Sequence, residues 1–347
     1  MLSVYSMTSL NWKDFLEKQG TSPGVLPFWL SGLYRDEAQW EKNVSPQLIG
    51  YARENFSFTL PEITRTQTAS DGTTKFQMKM HDGLEVETVL LPFHKRFTVC
   101  LSTQVGCGMN CSFCFTGTMG LKRNLTAGEI VGQYLVARNF LRSSDAEALT
   151  PSIVFMGQGE PLHNATEVKA AITILNDPAM GDVGLRQMTL STVGYLPAME
   201  MLKDFPKINF ALSLHSPFDE ERNLLIPINA KYPLKDVLHS FDQLTLLPRQ
   251  FITFEYLLIK NLNMTDKHVE ELSTLLGTRK ALLNLIPMNP WPGSIWERPT
   301  TEEIENFRQK LVSKKLRVMV RGTKGDDILA ACGQLKVAAS ARRKHDN

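Results

Sequence analysis

Cys107, Cys111 and Cys114 stand in the run Cys107-Gly-Met-Asn-Cys111-Ser-Phe-Cys114, a C-x3-C-x2-C spacing in one short, turn-prone stretch. Such a loop can present three thiolates on one side. Three sulfurs are one too few to close a tetrahedral structural zinc site, or to give each iron of a cubane its own thiolate. A loop holding a 4Fe–4S cluster by three cysteines leaves one iron open, and an open metal position is where a substrate or cofactor binds. A structural zinc with a distant fourth ligand and three unrelated thiols are the other readings. Cysteines this close, just after an apolar alternating stretch, argue against the last. Two of the five cysteines, Cys100 and Cys332, are left over. The total is too low for a secreted disulfide scaffold, and each leftover thiol alone reads as a small buried hydrophobe.

The bulk numbers fit an ordinary globular protein. The 347 residues are 43% hydrophobic and 21% charged, with 38 Lys and Arg against 36 Asp and Glu for a net charge of +2. That balance neither argues for nucleic acid nor excludes a local basic face. No apolar run reaches the ~18 residues of a membrane span. The start MLSVYSMTSLNWKDF lacks the charged opening and apolar run of a signal peptide, so the expectation is a cytoplasmic protein with reduced thiols.

The elements that must position the cysteines fall in order. Residues 1–60 read as a helical accessory domain, with Ser45-Pro46 an N-cap followed by proline at the first helical position. Residues 61–92 read as a β-meander linker with turns at Asp71-Gly72 and Asp82-Gly83. In the core, 93–335, strands and helices alternate: 97–104, 152–156, 188–192, 208–215, 251–259 and 281–287 as strands, and capping boxes at Thr126-x-x-Glu129 and Thr300-x-x-Glu303. The segment from Leu196 through Met201 is expected to be helical, and residues 336–347 form a basic tail. Six βα units imply an α/β fold with a parallel sheet, open or curled into a partial barrel. Ligands bind at the C-terminal ends of strands in such sheets. The cysteine loop, Gly157-Gln-Gly-Glu160, Ser191-Thr192, Ser213-Leu-His215 and Pro287-Met-Asn289 all fall there.

A C-x3-C-x2-C loop after the first strand of six βα units resembles the radical S-adenosylmethionine (SAM) superfamily. More specifically, Cys100-LSTQVG-Cys107, GLKRNLTAGEIVGQ, FMGQGEPL, LSTVG, SLHSPFDEERNLLIPIN, NLIPMNPWPG and RGTKGDDILAACGQL look like the RlmN/Cfr family of RNA methyltransferases. The resemblance runs from about Glu85 to Leu335. It implies a partial (β/α)6 radical SAM barrel, a 4Fe–4S cluster on Cys107, Cys111 and Cys114, and SAM at the open iron. RlmN members methylate carbon 2 of an adenosine in 23S rRNA and, in some bacteria, one in tRNA. Cfr members methylate carbon 8 of the same rRNA adenosine and confer antibiotic resistance. FMGQGEPL, NPWPG and RGTKGDD are nearer the RlmN pattern.

By the same resemblance Cys332 is methylated by one SAM, and a second SAM supplies the radical that activates that methyl for addition to adenine. Cys100 resolves the protein–RNA crosslink by forming a disulfide with Cys332. Glu87 accepts the adenine proton, although pattern alone makes it a solvated strand glutamate. Gly159, Glu160, Ser191, Ser213, Leu214, His215 and Asn289 match SAM contacts; His215 alone would read as a satisfied core histidine. Phe115 and Gln158 depart from the family, which has a small residue and a methionine there. A flavodoxin with its reductase is the implied electron source, with no membrane and a monomeric chain. Lys95-Arg96, Lys122-Arg123, Arg321, Lys324 and Arg342-Arg343-Lys344 are candidate phosphate contacts. A non-catalytic, zinc-dependent RNA-binding protein is the competing reading.

Overall fold

The computed structural model describes residues 1–35, 41, 44–94, 96–143 and 150–337. Lys95 and the tail residues Arg342, Arg343 and Lys344 lie outside them. The chain opens with α1 (Ser9–Lys18), α2 (Leu26–Arg35) and α3 (Pro46–Asn55), flanked by the short parallel pair β1 (Leu2–Ser3) and β2 (Phe56–Ser57). Ser45 caps α3 by accepting the Leu48 N–H, and Pro46 takes the first helical position. Trp12 and Trp29, both fully buried, meet edge-on with centroids 5.1 Å apart. Their cluster runs without a break into the main core.

Next come β3 (Glu62–Thr68), β4 (Thr74–Lys79) and β5 (Glu85–Phe93), an antiparallel meander. At its turns Asp71 and Asp82 accept the N–H of Thr73 and Leu84, while Gly72 and Gly83 both take φ 82°. The meander is hydrogen-bonded into the main sheet, because β5 pairs with β6 (Arg96–Cys100).

From β6 on, every pairing within the main sheet is parallel: β9 (Ser152–Phe155), β10 (Met188–Thr192), β11 (Asn209–Ser213), β12 (Ile252–Leu258), β13 (Ala281–Pro287) and β14 (Val318–Val320). The crossovers contain α4 (Ala127–Ser143), α5 (Ala165–Asn176), a 3-10 segment at Leu196–Asp204, α6 (Asp219–Leu225) with α7 (Leu234–Asp242), α8 (Asp266–Leu276) and α9 (Thr301–Ser313). The result is one open ten-stranded sheet in unbroken chain order, β14 to β9, then β6 to β3. This is the α/β arrangement expected from the alternation, with the C-terminal ends of β6 and β9 to β14 on one side. Both capping boxes form: Thr126 with Glu129 opens α4, and Thr300 with Glu303 opens α9.

Two expectations are corrected. The strand expected over 97–104 ends at Cys100, and β7 (Gln104–Gly106) pairs instead with β8 (Leu121–Asn124) in a separate ribbon. Buried amides take over from the sheet ladder: Gln133 Nε2 donates to the Ser102 carbonyl and Asn164 Nδ2 to that of Thr103. The segment after β10 is a 3-10 run rather than an α-helix, uncapped by any side chain and bounded by Pro197 and Pro206.

Candidate active site

The cysteine loop is entered through a close backbone contact that only glycine allows. Gly106 takes φ +77°, and a Cβ there would lie 1.9 Å from the Gly120 carbonyl oxygen. Across the turn the Cys107 N–H donates to the Gly120 carbonyl and the Cys114 N–H to that of Cys111, each at 3.1 Å. Ser112 donates through its N–H to Leu225 and through its Oγ to Leu224, tying the loop to the end of α6. Trp291 Nε1 holds the Phe113 carbonyl at 3.0 Å.

Cys107, Cys111 and Cys114 thereby line one pocket of about 940 Å3 at the C-terminal ends of β9 to β13. Gly157, Gly159, Glu160, Ser191, Ser213 and His215 line it too. Burial pushes the Cys107 thiol up to about 12, and those of Cys111 and Cys114 also rise, with neighbouring thiols adding to the effect. Three buried soft donors on one pocket wall suit an iron–sulfur cluster, which would be held by their thiolates once the protons that burial retains are lost. Among the described residues no three His, Cys, Asp or Glu side chains gather tightly enough to hold a single metal ion. A cubane does not require that, since its irons occupy separate corners.

The rest of the pocket suits SAM. Gly159 has φ +101°, with a Cβ excluded by Gln104 at 2.6 Å, so the backbone itself forms the wall. Glu160 is buried; its Oε1 accepts from Leu162 N–H at 3.0 Å and Thr192 Oγ1 at 2.6 Å, and its Oε2 from Val193 N–H at 3.0 Å. Burial raises its pKa, which those three donors oppose. His215 sits at φ +58°, its Nδ1 accepting the Leu257 N–H at 3.0 Å. Burial, with Arg222 second, lowers its pKa to about 3, so the imidazole is neutral. It is thus a satisfied core histidine and a pocket wall at once. Leu214 is fully buried and contributes backbone only, donating to Glu255 and accepting from Arg222 Nε.

A second cavity, of about 700 Å3, adjoins the first and is lined by Cys100, Cys332, Val89, Asn289 and Arg321. Cys114, Arg321 and Cys332 belong to both linings. The sequence groups Asn289 with the SAM contacts; it lines this second cavity, where its Nδ2 reaches the Cys332 carbonyl at 3.4 Å. All five cysteines are free thiols. Burial pushes Cys100 up to about 12, with Cys332 the next cause and Arg321 opposing both. The loop bearing Cys332 is pinned on two sides: the Phe115 N–H donates to Gly333 at 2.7 Å and Thr116 Oγ1 to Leu335 at 2.6 Å.

Glu87 corrects the pattern-based reading, because it is buried rather than solvated. It follows from β5 lying inside the sheet, between β4 and β6. Its Oε1 pairs with Lys75 Nζ at 3.1 Å. Burial raises its pKa, with Lys75 the main opposing influence. It lines neither cavity, although Val89, two residues along the same face, lines the second. Gln158 is fully buried and turned away from the pockets, its Oε1 accepting the Glu87 N–H at 3.1 Å.

Among the basic candidates, Arg123 is committed to structure: it forks onto Glu129 with two 2.8 Å bonds and reaches Asp82 at 2.7 Å. Lys324 lies over the Phe93 ring, 5.2 Å from its centroid. Sequence reasoning missed Glu255, which lines the first pocket and accepts from Asn284 Nδ2 at 2.7 Å. Its signal was present: an isolated charge inside the apolar strand Ile252–Leu258.

The family model of the radical SAM superfamily matches residues 101–273. The chain is 44% identical over 283 residues to the dual-specificity RNA methyltransferase RlmN of Lawsonia intracellularis, covering 80% of this chain and 79% of that one. It is 42% identical over 306 residues to the protein of the same name from Nitratidesulfovibrio vulgaris, covering 86% and 84%. The crystal structure of a radical SAM methyltransferase from Sphaerobacter thermophilus superposes with a TM-score of 0.89 at 35% identity, over 97% of this chain and 99% of that one.

Proposed function

The chain belongs to the RlmN family of radical SAM RNA methyltransferases, and from that premise we propose that it methylates carbon 2 of an adenosine in 23S rRNA and of one in tRNA. Carbon 2 of adenine is electron-poor and carries an unactivated C–H bond, so it cannot displace a methyl group from SAM directly. The cluster and SAM that the family implies supply, when bound, a carbon radical able to break a C–H bond.

Cys107, Cys111 and Cys114 would hold the cluster. Glu160 would face the SAM ammonium as a carboxylate, and the Gly159 backbone would let that group come close. Ser191 and Ser213 would bind the carboxylate and ribose and His215 would complete the wall, while Leu214 supports them from the core and Asn289 acts from the second cavity at the Cys332 loop. Cys332 carries the methyl group to the base as S-methylcysteine. Glu87 accepts the proton that leaves carbon 2, and Cys100 releases the product by forming a disulfide with Cys332. The base must leave its stack to reach so enclosed a site.

One observation carries this reading: Cys100 and Cys332 line a single cavity that opens beside the three-cysteine loop. Two thiols in one cavity can exchange partners. A flavodoxin with its reductase is the proposed electron source, the chain acts as a monomer, and the cytoplasm, which holds both RNAs, is its place of work.

The test is mass spectrometry of nucleosides from 23S rRNA treated with anaerobically reconstituted protein. The expected product is 2-methyladenosine. The appearance of 8-methyladenosine overturns the assignment of carbon 2, and a colourless zinc protein overturns the radical chemistry altogether.

A further inference from the structure

Lys75 and Glu87 lie on the neighbouring strands β4 and β5, one register step apart, since Lys75 faces Val89 and Gln77 faces Glu87. Their side chains are 7% and 4% exposed, and Nζ stands 3.1 Å from Oε1. An ammonium taken out of water is retained only where partners replace its hydration. Lys75 has a second such partner, the Leu329 carbonyl oxygen at 3.2 Å. Leu329 stands three residues before Cys332 with φ +53°, a conformation that an unbranched-at-Cβ but bulky residue seldom adopts. The lysine therefore bridges Glu87 and the loop that carries Cys332. Glu87 Oε2 finds no hydrogen-bond partner among the described residues. The Lys336 backbone N–H, pointed at the carboxyl but outside hydrogen-bond geometry, and the charge of Arg65 on β3 also lower the pKa of this group.

We propose that Lys75 is a positioning residue of the methyl transfer, orienting Glu87 as a charged proton acceptor and, through Leu329, setting the Cys332 loop against it. The inference rests on the reading of Glu87 as the acceptor and Cys332 as the methyl carrier. Lys75 holds Oε1, which leaves Oε2 to take the proton once substrate binding uncovers it, since the carboxylate lines neither cavity in the free protein. Carbon 2 loses H+, Oε2 gains it, and Glu87 passes from −1 to neutral. Burial favours the protonated carboxyl and Lys75 opposes it. Without the lysine, Glu87 would hold its proton to higher pH and be less available as a base.

The experiment compares wild type with Lys75→Met and Lys75→Arg in the reconstituted enzyme. It reads the pH profile of kcat, and the infrared titration of the Glu87 carboxyl in protein without RNA, identified by its loss in Glu87→Gln. Lys75→Met should lower kcat at least ten-fold at neutral pH and move the acid limb and the carboxyl titration up by a pH unit or more. Lys75→Arg should restore both positions. Should Lys75→Met not fold, Lys75→Gln carries the same test. An acid limb and a carboxyl titration that coincide with wild type, whatever the rate, overturn the inference. Full methylation by Glu87→Gln instead overturns the reading of Glu87, and the inference with it.

Discussion

The ring of Phe115 lies flat on that of Trp291, with centroids 4.6 Å apart and planes 11° from parallel. Lys336 Nζ stands over the same phenyl ring, 4.3 Å from its centroid. The cysteine loop, the segment after β13 and the Cys332 loop therefore meet at one side chain. Such a stacked pair contributes about 1 kcal/mol beyond its buried area. Phe115→Ala should loosen all three segments, and amide exchange at Phe115 and Gln334 should quicken several-fold. Unchanged exchange would mean that the backbone bond between Phe115 and Gly333 suffices.

Cys332→Ala should abolish methylation while the reconstituted protein keeps its iron and its brown colour. Cys332 has an apolar neighbour in Ala331 and only partial burial, so loss of one sulfur should leave the fold intact. Retained turnover would refute a methyl carrier at this position.

Cys100→Ala should have the opposite signature. With no thiol to release the product, a covalent protein–RNA adduct should build up on a denaturing gel. Burial pushes the free thiol up to about 12. Release by the wild type should therefore speed up as pH rises towards that value, because the thiolate is the attacking form. A rate independent of pH would assign release to another group.

Glu160→Gln keeps the shape of the carboxylate and removes its charge. Thr192, Val193 and Leu162 direct three donors at it, so the carboxamide must turn its NH2 towards at least one of them. A hydrogen bond to a charged partner contributes about 1.5–3 kcal/mol. SAM affinity, measured by anaerobic dialysis on reconstituted protein, should fall ten-fold or more. An unchanged affinity would place the SAM ammonium elsewhere.

What the sequence made legible was local. The strand and helix alternation, both capping boxes and the turns at Asp71 and Asp82 are set by residues within a few positions of one another, and all appear in the fold. The end of β6 at Cys100 was hidden, because Gln133 and Asn164, which satisfy the Ser102 and Thr103 carbonyls, lie 31 and 61 residues away. Burial of Glu87 was hidden for a like reason: Lys75 comes from the next strand, but Leu329 of the Cys332 loop, which holds that lysine, lies 254 residues from it. Resemblance pointed to Glu87, but only packing could name its partner.

His215 offers a test of the pocket in the apoprotein. Folded, its imidazole stays neutral down to about pH 3, because burial and the nearby Arg222 both oppose a second positive charge. In the unfolded chain it takes a proton near 6.5. Above that pH the two states bind equal numbers of protons and His215 has no effect on the slope. Below it the unfolded state binds more, so stability falls by up to about 1.4 kcal/mol per pH unit until about pH 3. The buried carboxyls Glu160 and Glu255 act in the opposite sense, since burial raises their pKa values and acid favours the fold through them. Wild type alone therefore gives a mixed curve, and the difference from His215→Gln isolates the histidine. Glutamine retains an acceptor for the Leu257 N–H and cannot titrate. Urea unfolding between pH 6.5 and 4 should show the variant losing less stability than wild type as acid is added. Parallel curves would mean that the imidazole takes its proton inside the fold, with Arg222 turned away from it.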